Sequence, residues 1–427
     1  MNSRTFRRGT AADRGKVVGF PGPAPSPPPP PGIGSALRRI GPGIVTGAAD
    51  MDPAMVLTAI VAGAVFGNSL LWVVLFCIPV LVAVFAVAAR IGVEARKGLV
   101  DLLRVNYGKK AAMTCAVLIM AINLVMIVAD LMAVSDSFSL ILRQPRMYFV
   151  AAVAFTIWYI LIFHDYRRIT RALLWLAVPL VAFVGAAVLV APSPRELAAH
   201  TLVPSIPAIP ALVAVVALFG SLLTPDVLVW QTSSRREHTP GRESRESLLT
   251  VLIAAVVCYC VIIASAAALH GFPAERITTR VAAAALRPLA GNWGEALFAI
   301  GIIGSGMVAL PIIVASFCYS LSEALGWKSG LSEHPWEAKE FYILISAVVC
   351  VGAVGNFLPI DPVRALYWSQ ILAGAVTVPI LMFILVISND RRIMRTVNTR
   401  WENFWIGGAC GGLVAAGILL LITKLGG

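Results

Sequence analysis

Two short runs of residues could do chemistry in this chain, and both sit inside apolar sequence. Asp50-Met51-Asp52-Pro53 and Thr224-Pro225-Asp226 each place a proline beside a carboxylate in the middle of a hydrophobic stretch. A proline in a helix interior removes one backbone hydrogen bond and clashes with the preceding turn. A carboxylate at bilayer depth costs about 3 kcal/mol or more on an isolated helix. Together these costs point to two interrupted helices around a polar site, where freed carbonyls join the carboxylates as oxygen ligands for a cation. For either run alone there is a plainer account, in which the proline kinks the helix and the aspartate caps the broken end.

The elements that must hold these runs are membrane spans. The chain has 427 residues, of which 59% are hydrophobic and 13% charged, against about 45–50% and about 25% in soluble domains. A soluble fold could not bury that much apolar side chain. Eleven helical spans are expected, over 42–66, 69–91, 111–137, 147–164, 169–192, 210–232, 246–270, 293–320, 339–358, 363–388 and 404–423. A transmembrane barrel would show alternating segments of about ten residues, and none appears. All seven cysteines fall in the apolar spans, which suits small apolar filler better than a disulfide framework. Gly63 and Gly67 fit close helix–helix packing through small residues.

Residues 1–40 form a separate region, a basic, proline-rich tail expected to stay solvated on the cytoplasmic side. It lacks the apolar core of a secretory signal. Residues 41–427 are expected to form one transmembrane domain. With the N-terminus in the cytoplasm, 26 of the 34 lysines and arginines lie on the cytoplasmic side, as the positive-inside rule requires. The C-terminus then lies outside, in a multi-pass protein of the plasma or inner membrane. The net charge of +12 is explained by this orientation, so a nucleic-acid partner is not needed. Five spans is an odd number, so two five-span copies would insert with opposite orientation. Repeat one would cover 41–192, repeat two 210–388, and 404–423 would be an extra helix. Each proline–carboxylate run lies in the first span of its half, as in inverted-repeat transporters.

The residues around these runs resemble the Nramp family of metal-ion transporters. The resemblance is carried by Gly41-Pro42-Gly43, Asp52-Pro53, Leu71-Trp72, Ser369-Gln370 and Asp390-Arg391-Arg392-Ile393-Met394, and extends from about residue 38 to 420. It implies an all-α LeuT-type fold with ten core helices in two inverted halves plus an eleventh, and alternating access that moves divalent metal, usually with protons. By the same resemblance Asp52 is the metal-binding, proton-linked aspartate. Ala49 and Ser221 would offer backbone carbonyls, Gln370 a side-chain oxygen, and Asp130 a place on the proton route.

The departures from the family pattern are as informative. Met55 stands for an asparagine ligand, Thr224 for a methionine, Asp226 for a histidine, Gln231 for a second histidine, and Ala133 for a glutamate. Thioether selects softer transition metals, whereas carboxylate, hydroxyl and amide oxygens suit Mg²⁺, Ca²⁺ and Mn²⁺. The candidate ligand set Asp52, Ala49, Met55, Ser221, Thr224, Asp226 and Gln370 is therefore a hardened one, with Met55 read as packing. With two histidines and a glutamate replaced, the proton route is reduced to Asp52, Asp130 and Asp226, and proton coupling is expected to be weak or absent. The metal is cargo, and no cofactor is expected.

Three other readings compete. The same architecture could carry an organic amine or amino acid, an intramembrane enzyme could be built in the bundle, or the chain could be a channel. No HExxH or GxSxG run is present to support the enzyme. A channel would differ from a carrier by conducting instead of saturating.

Overall fold

The computed structural model describes residues 51–163, 178–190, 192–207, 209–234, 243–331 and 333–425. The basic tail, Gly41–Gly43, and the candidate ligand Ala49 lie outside the described residues. Within them the chain is helical, and no strand is present.

The first described helix shows how this sequence punctuates itself. Helix α1 (Pro53–Phe66) starts at the Asp52-Pro53 run: Asp52 is the N-cap, its Oδ1 accepts the Met55 N–H at 2.6 Å, and Pro53 takes the first helical position. That position suits proline because its missing N–H has no partner there anyway. Gly67, at φ 59°, ends the helix and opens a single 3₁₀ turn, Gly67–Leu70. Helix α2 (Leu71–Ala95) follows at once and closes on Arg96 in the left-handed region. Gly67 is thus a chain-turning residue here, whereas Gly63 is the packing glycine, since a Cβ on it would stand 2.5 Å from the Ile262 carbonyl.

A short helix, α3 (Leu99–Tyr107), joins α2 to α4 (Lys109–Leu142). At 34 residues, α4 measures about 50 Å at helical rise, so it runs well past the hydrocarbon. Then come α5 (Met147–Phe163), α6 (Ala182–Val190) and α7 (Pro194–Leu202). Helices α8 (Ile209–Leu222) and α9 (Pro225–Ser234) are the two pieces of one expected span, separated by Leu223 and Thr224. The remaining long helices are α10 (Glu243–Leu269), α11 (Gly294–Leu325), α12 (Lys339–Gly355), α13 (Pro362–Asn389) and α14 (Arg400–Leu425).

Each of the eleven expected spans has a helix in the described residues. Seven runs are long and apolar enough to cross a membrane by themselves. The first of them, Pro53–Ala95, contains two expected spans joined by the single 3₁₀ turn. Helices α5 and α12 have 17 residues each, at the lower limit for crossing about 30 Å. The span expected at 169–192 is described only from Val178 onward. Interior prolines, Pro79 in α2, Pro311 in α11 and Pro379 in α13, are carried without a break, as neighbouring helices permit in membrane bundles.

The core is set by α4, α11 and α13 around α1, α8 and α9. Helix α11 is buried along nearly its whole length. Where α8 meets α13, both backbones come together through glycines. A Cβ on Gly220 would overlap the Gln370 carbonyl, and one on Gly374 would stand 2.6 Å from the Val216 carbonyl. Without strong hydrophobic drive between helices in lipid, such close backbone packing supplies the association energy.

At one end of the bundle, α3 is capped by residues from other helices. The Leu99 N–H donates to Thr232 Oγ1 of α9 at 3.3 Å, and the Asp101 N–H donates to Glu323 Oε2 of α11 at 3.3 Å. Glu323 also accepts the Ser233 hydroxyl of α9 at 2.7 Å. Gly98 leaves the room for this carboxylate, because a Cβ there would overlap it. Helix α14 begins with a capping box, Thr399 and Glu402 bonding each other's N–H groups at 3.2 and 2.7 Å. Glu402 then pairs with Arg90 of α2 at 3.0 Å.

Candidate cation site at the helix breaks

The two proline–carboxylate runs meet in the interior. Asp52 at the head of α1 and Asp226 in the first turn of α9 are both buried, at 3% exposure each, and interact electrostatically with one another. Asp130 of α4 is fully buried and lies within electrostatic reach of both. Three carboxylates therefore share one region of the core, and among the described residues no lysine or arginine is buried to answer them.

The backbone explains why these side chains are available. Pro225 has no N–H, so the helix α8 hydrogen bonds stop at Leu223, which still donates to the Phe219 carbonyl at 2.9 Å. Helix α9 starts anew on the Thr224 carbonyl, which accepts from Leu228 at 3.4 Å. The Leu223 carbonyl, released at the break, is met by the Thr377 hydroxyl of α13 at 2.9 Å. At the head of α1, Pro53 leans on α11 where residue 306 is glycine. A Cβ at that position would overlap Val134 of α4 and stand 3.1 Å from Pro53 Cγ. The missing side chain lets α1, α4 and α11 close around the Asp52-Pro53 corner.

Several polar atoms here have no hydrogen-bond partner among the described residues. They include both carboxylate oxygens of Asp130, Oδ1 of Asp226, and both amide atoms of Gln370 and of Gln231. Each would cost about 1–3 kcal/mol if left so in a dry interior. Oxygens of this kind are the donor set a hard cation would use. Ser221 is occupied locally, its hydroxyl donating to the Leu218 carbonyl at 2.9 Å, while its position at the end of α8 keeps its own carbonyl near the break. Met55 is fully buried and its N–H is spent on the Asp52 cap. No three His, Cys, Asp or Glu side chains stand together as a metal-binding cluster among the described residues. Asp52, Ser221, Thr224, Asp226 and Gln370 are each buried among the described residues.

Two features were not singled out in the sequence. Glu323, buried at 3% exposure, lies in an ordinary-looking helix end, and only the fold reveals its bonds to α3 and α9. A cavity of about 440 Å³ opens at the far end of α1, lined by Phe66 to Ser69, Glu196, His200 and His270. The two histidines, far apart in sequence, share this cavity. It contains none of the candidate ligands and lies about 20 Å along α1 from Asp52, judged by helical rise.

The comparisons with known proteins agree with this arrangement. The pattern of the Nramp family, natural resistance-associated macrophage protein-like, matches residues 43–423. A divalent metal cation transporter MntH of Verminephrobacter eiseniae is 26% identical over 285 residues, covering 62% of this chain and 64% of that protein. One of the same name from Acidiphilium cryptum is 25% identical over 379 residues, covering 84% of each. Among solved structures, the Eremococcus coleocola manganese transporter in complex with an aromatic bis-isothiourea compound aligns at TM-score 0.70 and 16% identity, over 92% of this chain and 89% of that one. MhsT in complex with L-phenylalanine aligns at TM-score 0.58 and 13% identity, over 89% and 97%. These last two are likenesses of fold, and the fold is of LeuT type. On the match over nearly the whole membrane region, this multi-pass membrane protein belongs to the Nramp family.

Proposed function

We propose that this chain carries a divalent metal cation across the membrane by alternating access, holding its cargo between the breaks at Asp52 and Thr224–Asp226. The observation that carries the reading is the burial of Asp52 at the head of α1 and of Asp226 just after the α8–α9 break, within electrostatic reach of each other and with no buried lysine or arginine among the described residues. A divalent ion neutralises that pair of carboxylates. Ala49, Ser221, Thr224 and Gln370 complete the ligand set, and Met55 is a packing residue. Family membership supports transport and sets aside the intramembrane enzyme.

The substrate is a hard ion of the Mn²⁺ or Mg²⁺ kind, because the site offers oxygen at Thr224 and Asp226. Proton movement is weak or absent, since carboxylates alone stand on the route through Asp52, Asp130 and Asp226. The two halves act as inverted repeats within a lipid bilayer, the N-terminus is cytoplasmic, and the C-terminus lies outside. An organic amine is the second reading, favoured by the same two carboxylates, which would hold an ammonium group.

A metal panel on purified protein in proteoliposomes, with a trapped pH dye, tests both readings. Saturable Mn²⁺ entry without matching acidification is expected. Entry of an amine with no metal uptake would replace the first reading by the second, and a conductive, non-saturating flux would indicate a channel.

A further inference from the structure

At the end of the bundle where α2 and α13 stop and α4 and α14 start, three carboxylates are engaged by hydrogen bonds of neighbouring segments. Glu94 accepts the N–H groups of Arg395 and Thr396 at 2.9 and 3.1 Å, and the Thr396 hydroxyl as well. Asp390 accepts the Arg392 N–H at 2.9 Å through Oδ1 and the Tyr107 phenol at 3.3 Å through Oδ2. Glu402 is held by its own capping box and by Arg90. These bonds fasten segment 390–400 to segment 94–110 and leave few acids for the cations beside them.

The cations beside them are numerous. Arg391, Arg392, Arg395 and Arg400 are exposed on one segment, and Arg96, Lys109 and Lys110 on the other. None of the seven forms an ion pair with a carboxylate among the described residues. The bonds between the segments place them together: Lys109 follows Tyr107 by two residues, Arg391 and Arg392 follow Asp390, and Arg392 lies within electrostatic reach of the Tyr107 phenol. Just beyond Arg400, Trp401 and Phe404 are exposed, at 48% and 67%, on the first turns of a span. Trp401 and Phe404 both pack edge-on against Trp405, with ring centroids 6.4 and 5.3 Å away. Aromatic rings at a span end mark the depth of the headgroups, and a cation cluster at that depth meets phosphate.

We infer that segments 96–110 and 390–400 form a binding surface for the headgroup of an anionic phospholipid, with Trp401 and Phe404 against its glycerol and upper acyl region. The arginines supply paired donors for phosphate oxygens. Hydrogen bonds from backbone N–H groups and the Tyr107 phenol occupy the Glu94 and Asp390 oxygens, and seven exposed cations outnumber these two acids. This inference rests on the chain spanning a membrane and is independent of which cargo it carries.

Native mass spectrometry of the full chain in a neutral detergent tests it, with phosphatidylglycerol and phosphatidylcholine supplied at equal concentration. Phosphatidylglycerol should be retained in preference, by about fivefold for each engaged cation. R391Q/R392Q/R395Q should lose the preference, and the corresponding triple lysine variant should keep most of it. R143Q/R276Q/R287Q, which removes equal charge elsewhere, should leave it unchanged. Equal losses in both glutamine variants would overturn the site in favour of bulk charge. So would a wild-type chain that retains inorganic phosphate or transfer RNA but shows no preference between the two lipids. Should R391Q/R392Q/R395Q fail to fold by circular dichroism, K109Q/K110Q tests the other half of the surface. A full lipid preference in that variant would exclude its half and sink the two-segment site.

Discussion

The Thr377 hydroxyl of α13 stands 2.9 Å from the Leu223 carbonyl and 2.8 Å from the Ala373 carbonyl of its own helix. One hydroxyl hydrogen therefore serves both the helix it belongs to and the carbonyl set loose by the break before Pro225. The relationship ties the interrupted span to α13, the helix that carries Gln370, at the level of the candidate site.

Replacing Thr377 with valine keeps the shape and removes the donor. The Leu223 carbonyl then loses its only side-chain partner, at a cost of about 1–2 kcal/mol. Thr377→Val should lower the thermal unfolding midpoint in detergent, and Thr377→Ser should restore it. An unchanged midpoint in the valine variant would mean that the carbonyl finds water instead.

Asp52 does two things that substitution can separate. As a cap, its Oδ1 accepts the Met55 N–H at 2.6 Å; as a ligand, it would offer charge. Asn caps about as well as Asp, whereas Ala costs about 1 kcal/mol at such a position. Asp52→Asn should keep the unfolding midpoint and lose most Mn²⁺ affinity in calorimetric titration, while Asp52→Ala should lose both. Unchanged Mn²⁺ affinity in the Asn variant would make the carboxylate purely structural.

Gly306 holds α1, α4 and α11 together at the Asp52-Pro53 corner. A methyl group there would overlap Val134, so Gly306→Ala should destabilise the protein by about 1–3 kcal/mol. Adding Val134→Ala should recover part of that loss. No recovery in the double variant would shift the conflict to Pro53.

In the proposed site, selectivity turns on Thr224 and Met55. Thr224→Met should raise Cd²⁺ affinity while leaving Mn²⁺ affinity within a few-fold, because only the soft ion gains much from sulfur. Met55→Leu should leave the Cd²⁺-to-Mn²⁺ ratio alone. A collapse of Cd²⁺ binding in the leucine variant would show that Met55 is a sulfur ligand and the site is softer than proposed.

Orientation is checked by thiol labelling in a cysteine-free background. Ser193→Cys, at the cap of α7, should react with an impermeant reagent added outside, and Lys110→Cys, at the start of α4, should be silent. The reverse pattern would invert the topology.

What the sequence made legible follows from the kind of signal each feature leaves. Asp52-Pro53 and Thr224-Pro225-Asp226 are misfits in apolar sequence, so the start of α1 and the break between α8 and α9 could be located before any helix was seen. Of the two alternatives weighed for Asp52, the cap is seen directly, in a buried residue. Contacts that join distant segments leave no such mark. Nothing in the local sequence of Thr377, Gly306 or Glu323 announces a partner in another helix, and Gly67 looks like a packing glycine until its φ is known. His200 and His270 are 70 residues apart in sequence, and only the folded chain brings them to one cavity.

The capping of α3 by α9 and α11 has a consequence for watching this protein at work. The Leu99 and Asp101 amides are protected only while Thr232 and Glu323 stay in place, and Thr232 lies at the end of one piece of the interrupted span. A tilt of α9 uncovers the Leu99 amide directly, and the Asp101 amide if Ser233 draws Glu323 away with it. Deuterium uptake at the start of α3 is therefore an intrinsic gauge of how firmly α9 is seated, readable without a label and without cargo.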